Sequence, residues 1–275
     1  EKGITVKANG RTFVFSKKDG QLKDVSVNNR KISFANGPRF IGARRADRSL
    51  DQFYNHDDEK AKAKDRTYSE FTDAAVFTKL DVKEEGGNLI LTANYKLGNL
   101  DKAQWTIHPD GMATLDYTYN FSGVVDLMGI CFDYPEEQVL SKRWLGAGPY
   151  RVWQNRIHGT QYDIWENDYN DPIPGETFTY PEFKGYFGSV SWMSIRTKEG
   201  TISLTNETPD SYIGVYQPRD GRDRLLYTLP ESGISVLNVI PPVRNKVNST
   251  DLCGPSSQPK WVDGSQTGRL VIRFE

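Results

Sequence analysis

Residues 89–121 read LILTANYKLGNLDKAQWTIHPDGMATLDYTYNF. In 89–97 and again in 113–121 every odd-numbered position is apolar or aromatic and the even positions are mostly polar. That is the period of a strand with one face buried and the other wet, not of a helix. His108-Pro109-Asp110-Gly111, just before the second run, has the residue types of a hairpin turn, which would leave His108 exposed.

The same alternation recurs in ITVKA (4–8), TFVFS (12–16), LKDVSV (22–27), TISLT (201–205), ISVLNVI (234–240) and RLVIRF (269–274). Turn signals separate the runs: Asp19-Gly20, Asn28-Asn29, Gly86-Gly87, Asp110-Gly111, Lys198-Glu199-Gly200 and Asp263-Gly264. The best helical candidate, DDEKAKAK at 57–64, lacks an apolar stripe and reads as a solvated loop or short turn. The spacing predicts an all-β fold, a large antiparallel sandwich. With no linker, low-complexity tract or internal repeat, residues 1–275 are expected to form one domain. Residues 145–188 stand apart: rich in Gly, Pro, Tyr and Trp, they show little alternation and read as a long irregular, functional loop.

Composition narrows the function. Lys and Arg total 35 against 36 Asp and Glu, so a nucleic-acid partner held by phosphate neutralisation is not expected. Charged residues at 26% and aromatics at 12% belong to a folded chain rather than a disordered one. No apolar run approaches the roughly 20 residues of a membrane helix, so no membrane partner is expected. The first ten residues, EKGITVKANG, have no apolar signal core, so targeting is absent or already removed. The mean hydropathy of -0.63 suits sheets with one wet face each. Two cysteines, Cys131 and Cys253, make neither a disulfide scaffold nor a four-thiolate zinc site.

The densest chemistry lies in 144–158, WLGAGPYRVWQNRIH, with two Trp, one Tyr, two Arg and two amides. Sugars are bound by such mixtures: an aromatic face covers the C–H face of a pyranose, and amides or guanidinium groups bond neighbouring hydroxyls. Trp153, Arg156 and His158 are the candidates here, although Trp144 and Trp153 read equally as core anchors. In 180–186, YPEFKGY, Glu182 and Lys184 are flanked by aromatics; they grip a polar ligand or form a surface ion pair. His56-Asp57-Asp58-Glu59 has metal-ligand residue types without a spaced partner motif, so no metal is expected. Glu136-Glu137, read as neighbours on a strand, point to opposite faces and cannot flank one glycosidic bond. No nucleotide-binding or nucleophile-elbow motif is present, and no cofactor is expected. Three sequons begin at Asn120, Asn206 and Asn248 and match by pattern only.

Trp144-Leu145-Gly146-x-Gly148-Pro149 with Arg156 resembles a motif of the C-terminal, small-chain domain of glycoside hydrolase family 2 β-galactosidases. Pro181, Glu182 and Gly185 correspond in outline to that family's next motif. Phe15 to Leu22 resembles its opening hairpin, and 254–261 with 269–274 its closing segment. The chain departs from the family at Arg151-Val152-Trp153, at Asn155, and at Arg45-Ala46-Asp47-Arg48, which stands for a longer motif. The PYRVWQNR and YPEFKGY wording resembles versions in large glycan-degrading enzymes of gut Bacteroidetes, a divergent branch.

The resemblance implies a galactose mutarotase-like supersandwich that packs on upstream TIM-barrel and sandwich domains of the same polypeptide. The catalytic glutamates would lie on the barrel, which alone takes roughly 250 residues. This domain would contribute no catalytic residue; it would lend an aromatic, best matched by Trp261, to a site for a galactoside or a plant or host glycan. Trp261 reads equally as a plug at the sandwich end. Substrate class implies a periplasmic or secreted location. Two other functions stay open: a free-standing aldose 1-epimerase, whose acid–base pair would be His158 with Glu182, and a non-catalytic carbohydrate-binding module.

Overall fold

Strands make up most of the computed structural model, which describes residues 3–45, 68–168, 185–215, 229–242, 256 and 258–275. The first strands are β1 (Ile4–Ala8), β2 (Arg11–Phe15), β3 (Leu22–Val27), β4 (Arg30–Ile32), β5 (Ala35–Arg45) and β6 (Tyr68–Glu70). A run of longer ones follows: β7 (Val76–Glu85), β8 (Asn88–Lys96), β9 (Leu100–Ile107), β10 (Ala113–Val125), β11 (Leu127–Asp133), β12 (Val139–Gly148) and β13 (Gln161–Asp168). The rest are β14 (Phe187–Gly188), β15 (Trp192–Thr197), β16 (Thr201–Asn206), β17 (Tyr212–Gly214), β18 (Ile234–Val239) and β19 (Lys260–Phe274). Among the described residues no helix is long and apolar enough to cross a membrane.

The strands form two antiparallel sheets. One, of ten strands, runs β1-β2-β3-β5-β11-β18-β17-β14, with β4 beside β3 and β6 beside β5. The other, of nine, runs β13-β12-β15-β16-β19-β10-β9-β8-β7. Alternation along each strand decides what lies between them. Phe13, Phe40, Ile130 and Val236 from the first sheet meet Leu91, Trp105, Leu115 and Ile272 from the second in one buried core. Aromatic pairs tie it together, among them Phe34 stacked on Phe132 at 4.5 Å between ring centroids.

The ten-stranded sheet is also covered on its other face. Ile41 and Ala43 of β5, Leu127 and Cys131 of β11, and Leu237 of β18 point away from the first core and pack with Tyr68, Val152, Trp153, Tyr186, Leu229 and Ile240. A sheet buried on both faces loses its alternation, so β11, LMGICFD, is an almost continuous apolar run.

Several expectations are corrected. Residues 145–188 are not irregular throughout: β12 runs to Gly148 and pairs with β13, and among the described residues 149–160 form the irregular part between them. Asp263-Gly264 is no turn, because β19 passes straight through it with Gly264 opposite Phe121. Glu136-Glu137 lie in one 3-10 turn, Glu136–Gln138, so the two-faces reading does not apply. His108 is half-buried, its Nε2 2.9 Å from Thr114 Oγ1 across the hairpin. Asn206 uses its side-chain amide on Val190 O and Ser211 Oγ, which makes its sequon a structural turn. The 57–64 stretch, His56 with its acidic neighbours, Cys253 and the Asn248 sequon lie outside the described residues.

Burial has a consequence at alkaline pH. Desolvation raises the Cys131 thiol from 9.0 to about 12, with smaller opposing contributions from Arg39, whose Nη2 lies 3.6 Å from the sulfur. It raises the Tyr117 hydroxyl from 10.0 to about 12, and Tyr95 and Tyr119 higher still. The unfolded chain releases these protons first, so stability is full below pH 9 and falls as pH rises from 9 toward 12. Urea melts between pH 8 and 11 should show a falling midpoint. In a Cys253→Ser variant, Cys131 should resist a disulfide reagent at pH 8 until the protein is denatured.

Candidate functional site

The loop between β12 and β13, residues 149–160, is fixed by backbone bonds. Val152 and Tyr186 exchange both of theirs, N to O, at 2.7 and 2.9 Å. This close crossing needs Gly185: at φ +150° a Cβ there would sit 2.4 Å from Val152 O and 3.0 Å from Trp153 Nε1. Trp153 and Arg156 close a tight turn, with Arg156 N donating to Trp153 O at 2.9 Å. The turn drives the Trp153 ring inward, edge-on to Tyr186 at 5.6 Å, and leaves Arg156, Ile157 and His158 exposed.

Trp153 is 0% exposed, whereas Trp261, near the start of β19 opposite Val124, is 70% exposed. The indole that faces solvent is therefore Trp261, and Trp153 is a core anchor. Trp144 is buried as well, its Nε1 donating to Ala147 O at 3.0 Å and its ring edge-on to Phe187 at 4.8 Å. The residues of the 144–149 motif have packing reasons. A Cβ on Gly146 would press on the 188–190 backbone at 3.0–3.1 Å, and one on Gly148 would enter the Trp165 ring at 2.4 Å. Glu182 and Lys184 lie outside the described residues.

Gln154 of the same loop is not among the candidates read from the sequence. Its backbone N–H donates to Pro241 O at 3.0 Å. Its side-chain amide donates to Ser256 O at 2.8 Å and to Gln258 O at 2.7 Å. It therefore joins the loop of Arg156 and His158 to the segment that leads into Trp261. Its side-chain partners are carbonyls more than a hundred residues away; only its place in an amide-rich loop hints at a role.

On its other side the loop borders a cleft of about 470 Å3, lined by Ile157, Thr160, Ser189, Ser191, Asn206, Asp210 and Tyr212 among others. The Tyr162 hydroxyl lies 2.6 Å from Ser191 Oγ. At the far end of β5, Asp126 accepts from the Arg45 backbone at 2.8 Å and lies 3.6 Å from Arg44 Nε. This buries a charge with partners. Among the described residues no group of three or more His, Cys, Asp or Glu is placed to hold a metal ion.

Known proteins fit this frame. A galactose 1-epimerase from Lactobacillus acidophilus NCFM matches with a TM-score of 0.50 at 9% identity, covering 99% of this chain and 94% of its own. A galactose mutarotase-like protein from Lactobacillus casei ATCC 334 matches at 0.44 and 11%, covering 99% and 100%. The α-N-acetylgalactosaminidase NagBb from Bifidobacterium bifidum, in complex with GalNAc, matches at 0.45 and 11%; this chain is covered over 99% but spans only 36% of that protein. No curated protein sequence matches. The fold is that of the galactose mutarotase-like supersandwich. The sequence profile of the beta galactosidase small chain matches residues 7–238, and the chain belongs to that family.

Proposed function

We propose that residues 1–275 form one accessory domain of a β-galactosidase-like glycoside hydrolase, which shapes a carbohydrate site while the glycosidic bond is cut by glutamates on another domain. Arg156 and His158 supply polar contacts, Trp261 supplies an aromatic platform, and Glu182 and Lys184 are further polar groups for the sugar. The observation that carries the reading is Trp261. A large indole 70% exposed on a paired strand forgoes the burial that most tryptophans obtain, and its flat face suits the C–H face of a sugar. Membership of the small-chain family supports it.

Tryptophan emission should change on titration with methyl β-D-galactopyranoside, saturating at millimolar sugar, and Trp261→Ala should abolish the change. Emission unaltered by sugar in the parent chain, or a response that survives Trp261→Ala, would sink the reading. A mutarotation assay on glucose and galactose separates it from an epimerase: catalysed mutarotation that His158→Ala removes would favour the latter.

A further inference from the structure

We infer that Gln154 is a positioning residue whose side-chain amide sets where Trp261 stands relative to Arg156 and His158. The inference rests on the sugar-site reading above and deepens it. The exposed indole of Trp261 follows Ser256 and Gln258 closely along the chain, near the start of β19. Among the described residues its backbone is paired on the β10 side alone, because β16 joins β19 no earlier than Leu270. The fork of Gln154 ties down the approach to that ribbon, both of its N–H groups being spent on carbonyls of the approaching segment. Gln154 is itself immobile. It is buried, its backbone is tied to Pro241 beyond β18, and its neighbour Trp153 is fully buried. One residue thus stitches together the loop, the end of β18 and the entry to β19.

The chemistry is specific to an amide of this length. Glutamate has the shape but no N–H, and it would set a carboxylate against two carbonyl oxygens. Asparagine falls one C–C bond short, about 1.5 Å, and methionine fills the space without a donor. Gln154 is also not what packing alone would select. Among the described residues its Oε1 and the Nε2 of Gln258 are buried with no protein partner, polar atoms that an apolar residue would not bring there.

The test has two arms on the full chain. In Gln154→Met, amide hydrogen exchange at 258–263 should quicken about tenfold while the β8–β9 ladder keeps its protection. Unchanged exchange at 258–263 would overturn the inference. In the second arm, affinity for methyl β-D-galactopyranoside should fall about tenfold in Gln154→Met and in Trp261→Ala. The double variant should bind no more weakly than Trp261→Ala alone, because an absent ring needs no positioning. Loss in Trp261→Ala with none in Gln154→Met would overturn the inference and leave the sugar reading standing. Affinity unchanged in Trp261→Ala would remove the sugar reading, and the exchange arm would still decide whether Gln154 holds the segment. Should Gln154→Met lose its folded circular-dichroism signal, Gln154→Asn, which keeps the amide but shortens its reach, carries both arms with smaller expected changes.

Discussion

Trp144→Ala is expected to cost about 3–5 kcal/mol of folding stability, the range for truncating a fully buried aromatic. The ring has no exposed surface and its removal opens a void against Phe187. The Ala147 carbonyl also loses its donor. Domains hold only about 5–15 kcal/mol in total, and each kcal/mol moves a chain of this size by roughly 2–4 °C, so the melting temperature should drop by about 10 °C. Trp261→Ala provides the contrast. That side chain is open to solvent, and its removal should change stability by no more than about 0.5 kcal/mol. Paired thermal melts check both, and a shift below about 3 °C for Trp144→Ala would mean the cavity collapses without loss. The pair separates two kinds of tryptophan that sit in similar Gly- and Pro-rich sequence.

That separation marks what sequence can and cannot convey here. Strands with one wet face, such as β8 and β10, are legible because their odd positions are apolar and their even positions are not. β11 is not legible by the same rule, since Met128 and Ile130 face one core while Leu127 and Cys131 face the other. β7, exposed along most of its length on both faces, also lacks a pattern to read. Gly264 carries a turn residue's conformation, φ +105°, inside a strand, so a local signal was right about the backbone and wrong about the element. At the candidate site, Arg156 and His158 are legible only as polar residues crowded into an irregular loop. The burial of Trp153 and the exposure of Trp261 are not legible, because they depend on which loop crosses which. Gln154 was least visible of all: its partners are backbone carbonyls, which have no letter of their own.

Gly129→Ala should be strongly destabilising for the addition of a single methyl group. Gly129 lies in β11 between β5 and β18, in the middle of the ten-stranded sheet, where the β11–β18 register slips by one residue. A Cβ at this position would sit 2.1 Å from Val236 O and 2.6 Å from Leu237 Cα. Both obstacles are backbone of a paired strand, so no side chain can swing aside, and β18 as a whole would have to move. Overpacking of ordinary cores costs about 1–3 kcal/mol; with the ladder itself displaced, about 3 kcal/mol or more is expected, a fall of roughly 6–12 °C in melting temperature. Gly86→Ala is the control: its φ of +60° is unfavourable for alanine, but nothing lies within 4 Å, so the backbone strain alone should cost about 1 kcal/mol. The damage should also reach the site. β18 leads to Pro241, whose carbonyl accepts the Gln154 N–H, so exchange of the Gln154 amide should quicken in Gly129→Ala and not in Gly86→Ala. A Gly129→Ala protein that melts within about 2 °C of the parent would show that β18 can shift without breaking its ladder, and that the loop of Arg156 and His158 is held independently of the sheet beneath it.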